Sequence, residues 1–189
     1  MIELILGGAR SGKSRYGEGR ATTLAHDVVY LATARAGDEE MAARIARHRL
    51  RRETHWLTVE EPVALAQALK QHCTPGRCVL VDCLTLWLGN VLFDSDGTQK
   101  TEDRRQKTED GSLFSVFCLQ SSESGFQRER AALLDCLPRL PGHVVLVSNE
   151  VGMGVVPMGA MTRRFVDAAG WLHQDLAALS QRVVWVLAG

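Results

Sequence analysis

Residues 7–14 are Gly7-Gly8-Ala9-Arg10-Ser11-Gly12-Lys13-Ser14, and this stretch decides the fold. It matches the pattern G-x-x-x-x-G-K-[ST] of the phosphate-binding P-loop. The apolar run at 2–6 predicts a buried strand before the motif, and residues 14–25 predict a helix after it. The motif requires a strand, a glycine-rich turn and a helix in this order, and a chance glycine-rich turn would lack that context.

Each part of the motif has a physical role. Backbone N–H groups of the loop and of the helix N-terminus point at one spot and favour an anion there. Gly7 and Gly12 permit backbone angles that a β-carbon would forbid. Lys13 can reach the terminal phosphates of a nucleotide, and the Ser14 hydroxyl can ligate Mg²⁺. We therefore predict that the loop binds a nucleoside triphosphate.

The composition sets broad limits on the kind of protein. At 189 residues the chain is long enough to bury a core and is expected to form one domain. Lys+Arg and Asp+Glu balance at 22 each, so the charge favours neither nucleic acid nor an anionic membrane as a partner. The sequence has no transmembrane-length apolar run and no signal peptide, and its five cysteines include no C-x-x-C pair. We expect a cytoplasmic protein with reduced thiols and no zinc site.

Strand and helix patterns alternate along the rest of the chain. Further strands are predicted at 28–32, 78–81, 144–147 and 183–186, with a short one at 55–59, and helices at 38–52, 62–71, 84–93, 126–137 and 161–179. Near-continuous apolar strands that alternate with helices predict a mostly parallel sheet covered on both faces. Ligands bind beyond the carboxyl ends of such strands. That edge gathers the P-loop, Thr33, Asp82, Asn149 and Glu150.

Residues 94–125 do not fit the alternating pattern. The segment is polar, and Gln99-Lys100-Thr101-Glu102-Asp103 recurs at 106–110. The repeat is too short and too polar to build a repeat fold. We predict an inserted, largely disordered surface loop, within which the apolar run at 113–117 could pack locally or on another subunit.

Carboxylates at strand ends are candidates for metal or nucleotide binding. Asp82 ends an apolar strand, which places it to hold Mg²⁺ directly or through water, although it could instead cap the following helix. Glu60 and Glu61 precede Pro62 and are weaker candidates, because such a pair commonly marks a helix N-terminus. Asn149 and Glu150 begin a glycine-containing loop and could bind substrate hydroxyls or a metal, or could simply form a turn.

The helix predicted at 38–52 carries His48 beside several arginines. Arg44, Arg51 and Arg52 lie four residues before, three after and four after His48, on one helical face. Their charges would disfavour imidazolium, leave a ring nitrogen free as nucleophile or base, and hold polyphosphate. A solvated basic face with an incidental histidine is an equally good interpretation of these residues alone. His55 lies beyond the predicted helix and is expected to serve packing.

Several stretches together resemble the bifunctional adenosylcobinamide kinase / adenosylcobinamide-phosphate guanylyltransferase family. The resemblance covers nearly the whole chain outside 94–125, and its most specific parts are 38–48 and 149–157. The matching residues are the P-loop through Arg15, residues 38–49, His55-Trp56 with Thr58 and Glu60, residues 81–85 with Asn90, and residues 148–154 with Pro157.

The resemblance implies a P-loop NTPase-like, RecA-like α/β fold and a homo-oligomer, a trimer. It implies that His48 takes up GMP covalently, that Lys13 is the second catalytic residue, and that Ser14 and Asp82 hold Mg²⁺. The implied nucleotide contacts come from Gly7, Gly8, Ala9, Arg10, Ser11, Gly12, Lys13, Ser14, Thr33, Ala34, Arg35, Arg49, Leu50, Arg51, Arg52, Glu60 and Asp82.

The resemblance also implies two reactions. ATP or GTP phosphorylates the aminopropanol hydroxyl of adenosylcobinamide, and GMP from GTP is then transferred to adenosylcobinamide phosphate to give adenosylcobinamide-GDP. The chain departs from the family pattern in its insert, in its stop at Gly189, and in His173, where the family commonly has asparagine. Two alternatives stay open: a P-loop kinase of another small alcohol without guanylyl transfer, and a non-catalytic nucleotide-binding regulator.

Overall fold

The computed structural model describes residues 1–35, 55–93 and 113–189, with the side chains of all of these except 113–124. Its strands are β1 (Ile2–Gly7), β2 (Asp27–Ala32), β3 (Leu57–Glu60), β4 (Arg77–Asp82), β5 (His143–Asn149) and β6 (Arg182–Val186). Its helices are α1 (Lys13–Leu24), α2 (Leu65–His72), α3 (Leu84–Phe93), α4 (Leu113–Cys136) and α5 (Ala160–Leu179), with a 3₁₀ turn at Leu137–Arg139.

The six described strands form one parallel sheet in the order β3-β2-β4-β5-β1-β6. Every residue of β1 is buried, as expected for a parallel strand covered on both faces. Ile2, Leu4 and Leu6 join the core beneath α2, α3, α4 and α5. Ile5 faces the opposite side, where Ala21 of α1 packs. The predicted α/β architecture with helices on both faces is therefore confirmed.

The connections after β1 and β5 place a crevice at the P-loop. The two strands are neighbours, with Gly7 in register with Asn149. The helix that follows β1 packs on one face of the sheet, and the helix that follows β5 packs on the other. Connections that leave adjacent strands toward opposite faces open a crevice beyond the carboxyl ends, which is where such sheets bind ligands.

Most predicted strands and helices agree with the structure to within a few residues, but the predicted starts of α2, of β3 and of α4 are wrong. The helix expected from Pro62 begins at Leu65. The Glu61 carboxylate accepts hydrogen bonds from the N–H groups of Val63 and Ala64, at 2.9 and 2.8 Å, and so holds a turn ahead of α2. The short strand begins at Leu57 rather than at His55.

The prediction that the inserted loop extends to Gly125 is also wrong. Helix α4 begins at Leu113, thirteen residues before the predicted start at Phe126. The sequence from 113 to 136 contains no proline, and the single Gly125 costs a helix only about 1 kcal/mol. Residues 94–112 and the helix predicted at 38–52 lie outside the described residues.

Candidate nucleotide-binding site

The P-loop lies at the carboxyl end of β1, and both of its constrained glycines have structural reasons. A β-carbon on Gly7 would clash with the carbonyl oxygen of Val186 and come within 2.6 Å of Ser11 Oγ. Gly12 has a φ of 95°, in the left-handed region that favours glycine. Gly12 is also the N-cap residue of α1, so the first N–H groups of this helix receive no capping side chain from it. Those N–H groups are the donors that an anion at a helix N-terminus accepts.

Two side chains of the loop point into its interior. The Lys13 ammonium donates a hydrogen bond of 2.9 Å to the carbonyl of Gly8, and Lys13 is 7% exposed. Ser11 is also buried, and in the described part of the chain its hydroxyl has no hydrogen-bond partner. After β6 the chain returns to the loop, where the Gly189 N–H donates to the Ser11 carbonyl at 2.8 Å. The last residue of the chain therefore packs on the P-loop, and the Lys13 ammonium bonds to the backbone of the loop.

Asp82 ends β4, two strands from the P-loop strand and in register with Ala32 of β2. The Tyr30 hydroxyl donates a hydrogen bond of 2.8 Å to Asp82 Oδ2. Ser14 lies in the first turn of α1, so the two predicted Mg²⁺ ligands stand at the same edge of the sheet. Among the described residues no group of three or more His, Cys, Asp or Glu side chains could hold a metal. One hydroxyl and one carboxylate are hard oxygen donors and fit Mg²⁺, which takes few protein ligands and completes its shell with water and phosphates.

Thr33 holds the ends of β2 and α3 together. Its hydroxyl donates to the Cys83 carbonyl at 2.7 Å and accepts from the Cys83 N–H at 3.0 Å. The Asn90 side-chain amide donates to the Thr33 carbonyl at 2.9 Å. Thr33 is fully buried, so its side chain supports this edge from within, and the half-buried Ala34 and exposed Arg35 stand beyond it.

Cys83 follows Asp82 and packs beneath the site. Burial raises the pKa of the Cys83 thiol to about 11, the Asp82 carboxylate adds to that rise, and the Lys13 ammonium opposes it. Cys83 is therefore a neutral thiol at physiological pH.

Glu60 and Glu61, paired in the sequence, have separate positions. Glu60 is exposed at the end of β3, in register with Ala32 and on the same edge as Asp82. Glu61 accepts hydrogen bonds from two N–H groups of the turn ahead of α2, so its role there is structural, although the helix itself begins later than predicted. Of the pair, Glu60 is the residue that stands at the edge where ligands bind.

Glu150 is the first residue beyond β5, and its N–H donates to the Gly7 carbonyl at 3.0 Å. One carboxylate oxygen accepts a hydrogen bond from the Gly152 N–H, and the other lies 3.9 Å from Nδ1 of His173 on α5. His173 Nε2 is 2.8 Å from the Ser148 hydroxyl. Burial lowers the pKa of His173, and Glu150 opposes that effect. A carboxylate and a buried histidine thus border the P-loop.

The predicted nucleophile lies outside the described residues. His48, Arg49, Leu50, Arg51 and Arg52 belong to residues 36–54, so their placement at the site stays a prediction. The competing His55 is described, and its ring stacks on His26 with the centroids 5.6 Å apart. That packing contact is the one expected for a histidine away from the P-loop.

A comparison with protein families decides how this site is classified. The model of the family described as cobinamide kinase / cobinamide phosphate guanyltransferase matches residues 3–189. The chain belongs to this family. It is therefore an enzyme with the two activities of the cobinamide kinase / guanyltransferase family, and the resemblance inferred from the motifs is confirmed.

Curated relatives agree with the family assignment. The chain is 50% identical over 189 residues to the bifunctional adenosylcobalamin biosynthesis protein CobP of Pseudomonas aeruginosa, with the whole chain and 94% of the relative aligned. It is 38% identical over the same length to the bifunctional adenosylcobalamin biosynthesis protein CobU of Escherichia coli and 36% identical to CobU of Salmonella typhimurium. The whole chain and 97% of each of these two relatives are aligned. The family enzyme described here therefore acts in cobalamin biosynthesis.

None of the described helices is long and apolar enough to cross a bilayer. Cys73, Cys78, Cys83 and Cys136 are buried free thiols, as the lack of paired spacing suggested.

Four residues around the site carry no site prediction of their own from the sequence. Ser148 and Thr85 lie in stretches that carry the family resemblance, and Tyr30 lies in an apolar strand. The fourth residue, His173, stands out from the sequence only as a departure from the family pattern. A polar residue inside an apolar strand, Ser148 after Val144–Val147, was the available signal, because a buried hydroxyl requires a partner.

Proposed function

We propose that this enzyme phosphorylates the aminopropanol hydroxyl of adenosylcobinamide with ATP or GTP and then transfers GMP from GTP to the resulting phosphate. The product would be adenosylcobinamide-GDP. The observation that carries the proposal is the P-loop of a cobinamide kinase / guanyltransferase family member, with Lys13, Ser14 and Asp82 gathered at the ligand-binding edge of its sheet.

In the kinase reaction the substrate hydroxyl oxygen forms a bond to the γ-phosphorus, and the bond to the bridging oxygen of the nucleotide breaks. The loop N–H groups and Lys13 would hold the phosphates in line for this displacement. Lys13 would exchange its contact with the Gly8 carbonyl for one with the phosphates. Ser14 and Asp82 would hold Mg²⁺, which supplies charge neutralisation on the phosphate oxygens when bound. Thr33 lies beneath this edge of the sheet and would support it from within. Glu60 and Arg35 would contact the nucleotide.

In the guanylyl transfer a ring nitrogen of His48 would attack the α-phosphorus of GTP, and pyrophosphate would leave. A phosphate oxygen of adenosylcobinamide phosphate would then attack the same phosphorus and release His48. Covalent catalysis divides one difficult displacement into two easier ones. Arg49, Arg51 and Arg52 would stabilise the charge on the α-phosphate and on the leaving pyrophosphate.

We expect the enzyme to form a homo-oligomer, namely a trimer. In the loop after β5, three apolar residues are largely exposed to solvent, Met153 at 80%, Val155 at 96% and Met158 at 95%. Burial of such side chains against a second subunit would contribute roughly 25 cal/mol per Å² of apolar area removed from water. Sedimentation equilibrium tests this part, and a monomer at micromolar concentration would refute it.

The test of guanylyl transfer is incubation of the protein with α-labelled GTP, followed by a search for label on the protein. A histidyl adduct is a phosphoramidate, so the label should survive base and be lost in mild acid. His48→Asn should remove the label and the guanylyltransferase activity while sparing the kinase, because phosphorylation needs no covalent histidine.

His55→Asn is the matched control, because His55 stacks on His26 rather than standing at the P-loop. It should label normally. Label on His48→Asn, or loss of label in His55→Asn alone, would show that His48 is not the nucleophile. Kinase activity without any labelled protein would favour a kinase alone.

A further inference from the structure

The crevice beside the P-loop contains a carboxylate to which the proposed mechanism assigns no role. Glu150 follows β5, the strand next to the P-loop strand, and its N–H is bonded to the first residue of the P-loop. Its side chain is 18% exposed, so water and a substrate can reach it. Asp82 on β4 and Glu60 on β3 are further carboxylates at this edge, but Asp82 is assigned to Mg²⁺ and bonded to Tyr30, and Glu60 lies three strands from β5.

A line of buried side chains stands behind Glu150. His173 Nδ1 lies 3.9 Å from Glu150 Oε2, and His173 Nε2 lies 2.8 Å from Ser148 Oγ. Ser148 Oγ is 3.2 Å from Thr85 Oγ1, which accepts the Asn149 N–H at 2.7 Å. Ser148 and His173 are 1 and 8% exposed. Burying this many polar groups is unfavourable unless each has a partner, so the line fixes its members in one arrangement.

A proton on Nδ1 of His173 suits both the carboxylate beside it and the hydroxyl groups behind it. A carboxylate is an acceptor, so a neutral histidine beside it is favoured with the proton on Nδ1. Nε2 then accepts from the Ser148 hydroxyl, and Ser148 Oγ accepts from the Thr85 hydroxyl, which still accepts the Asn149 N–H. Every hydroxyl proton on the line has an acceptor. The Nδ1–Oε2 separation exceeds hydrogen-bond length, and such contacts often tighten when substrate binds.

We propose that Glu150 is the general base that accepts the proton of the substrate hydroxyl in the kinase reaction, and that His173 is the residue that positions it. The inference rests on the proposed function, because it takes the acceptor to be an alcohol. The alcohol O–H bond breaks as its oxygen bonds to the γ-phosphorus, and the leaving electron pair stays on the nucleoside diphosphate. The proton moves to the Glu150 carboxylate and then to water.

The two half-reactions differ in their need for such a base. An alcohol carries a proton that must leave during phosphoryl transfer. A phosphate monoester has a second pKa of about 6 and is already largely deprotonated at neutral pH, so its attack on a guanylylated enzyme has no proton to lose. A defect in Glu150 should therefore appear in the kinase reaction alone, whereas a structural or nucleotide-binding role would affect both reactions.

The experiment measures both half-reactions separately for Glu150→Gln, with adenosylcobinamide plus ATP for one and adenosylcobinamide phosphate plus GTP for the other. Glutamine keeps an oxygen for the Gly152 N–H, so the loop is retained while the base is lost. The kinase kcat should fall by about 100-fold or more, with the KM for ATP unchanged and guanylyl transfer retained. Glu150→Asp, which keeps a carboxylate, should recover part of the lost rate.

His173 is tested by substitution to alanine, which removes the side-chain N–H, and to asparagine, which keeps one. His173→Ala should lower the kinase kcat about tenfold through misplacement of Glu150, again with the KM for ATP unchanged. His173→Asn offers a side-chain N–H to Glu150 and should recover most of that loss. Equal losses in both half-reactions, or no recovery by asparagine, would refute the positioning role.

The outcomes separate this inference from the function on which it rests. A Glu150→Gln kinase rate within about threefold of wild type would refute the base, because general base catalysis contributes at least about 100-fold. Parallel loss of both half-reactions would also refute it. Failure of the wild-type enzyme to phosphorylate adenosylcobinamide would refute the proposed function itself, and the base with it.

Discussion

The ion pair between Glu3 and Arg20 offers a test of how the P-loop is held between β1 and α1. Glu3 lies within β1 and its side chain has no exposed surface, whereas the Arg20 side chain on α1 is 20% exposed. Arg20 Nε donates to Glu3 Oε2 at 2.9 Å, and the second guanidinium nitrogen Nη2 donates to Oε1. Hydrogen bonding to Glu3 raises the pKa of Arg20. Arg20→Met removes the guanidinium and keeps most of the apolar stem.

The size of the effect follows from the burial of Glu3. Breaking a buried ion pair by removal of one partner costs about 3–5 kcal/mol, because it leaves an unpaired charge without water. A fifth of the Arg20 side chain is exposed, so some water will reach the site, and we expect the lower end, about 3 kcal/mol. For a chain of this length 1 kcal/mol corresponds to about 2–4 °C in Tm. Arg20→Met should therefore lower Tm by roughly 6–12 °C.

Thermal unfolding followed by circular dichroism measures the shift, with Arg139→Met as the matched control. Arg139 pairs with Asp135 on the surface, where both side chains are more than 60% exposed, at 64 and 61%. Such a pair contributes about 0.3–0.5 kcal/mol, so the control should move Tm by less than about 2 °C. Equal shifts for the two variants would refute the argument that burial of Glu3 sets the effect.

Lys13→Met should abolish the use of nucleoside triphosphates in both half-reactions. The variant should still fold, because losing the hydrogen bond to the Gly8 carbonyl costs no more than about 3 kcal/mol. Normal turnover by the folded variant would overturn the P-loop assignment. Gly12→Ala puts a β-carbon on a residue with left-handed backbone angles and within 2.9 Å of Gly189 Cα. The affinity for nucleotide, measured by calorimetry, should therefore fall at least tenfold. Unchanged affinity would contradict that geometry. Burial raises the pKa of Cys78 to about 12 and of Cys83 to about 11, above the unfolded value of 9.0. The unfolded chain therefore loses these protons first, so stability to urea should fall by about 1.4 kcal/mol per pH unit per thiol, from pH 9 to about 11 for Cys83 and to about 12 for Cys78. A Cys78→Ala, Cys83→Ala variant should lose this part of the fall and keep only that of the other buried thiols, and a fall as steep as that of wild type would assign the effect elsewhere.

The P-loop and the strands could be predicted from sequence because their signals are local. A parallel strand covered on both faces is a continuous apolar run, as in Val144–Val147, and the P-loop pattern spans eight consecutive residues. The start of α2 could not be predicted in this way. Pro62 suits a first turn, but the Glu61 side chain holds the N–H groups after it and delays the helix. The start of α4 at Leu113 could not be predicted either, because the polar, low-complexity sequence before Phe126 is typical of a loop.

The sequence by itself determined the α/β class, the phosphate-binding loop, the family, and the carboxylates Asp82 and Glu150 as candidates. Only the tertiary structure decided which residues meet. The order of the strands brings β5 beside β1, so Glu150 contacts a loop 143 positions earlier in the chain, and α5 brings His173 behind it. The burial of Glu3 against Arg20 has the same origin. Periodicity shows which face of an element is apolar, but the partner of a buried polar group depends on how distant elements pack, and sequence spacing carries no record of that.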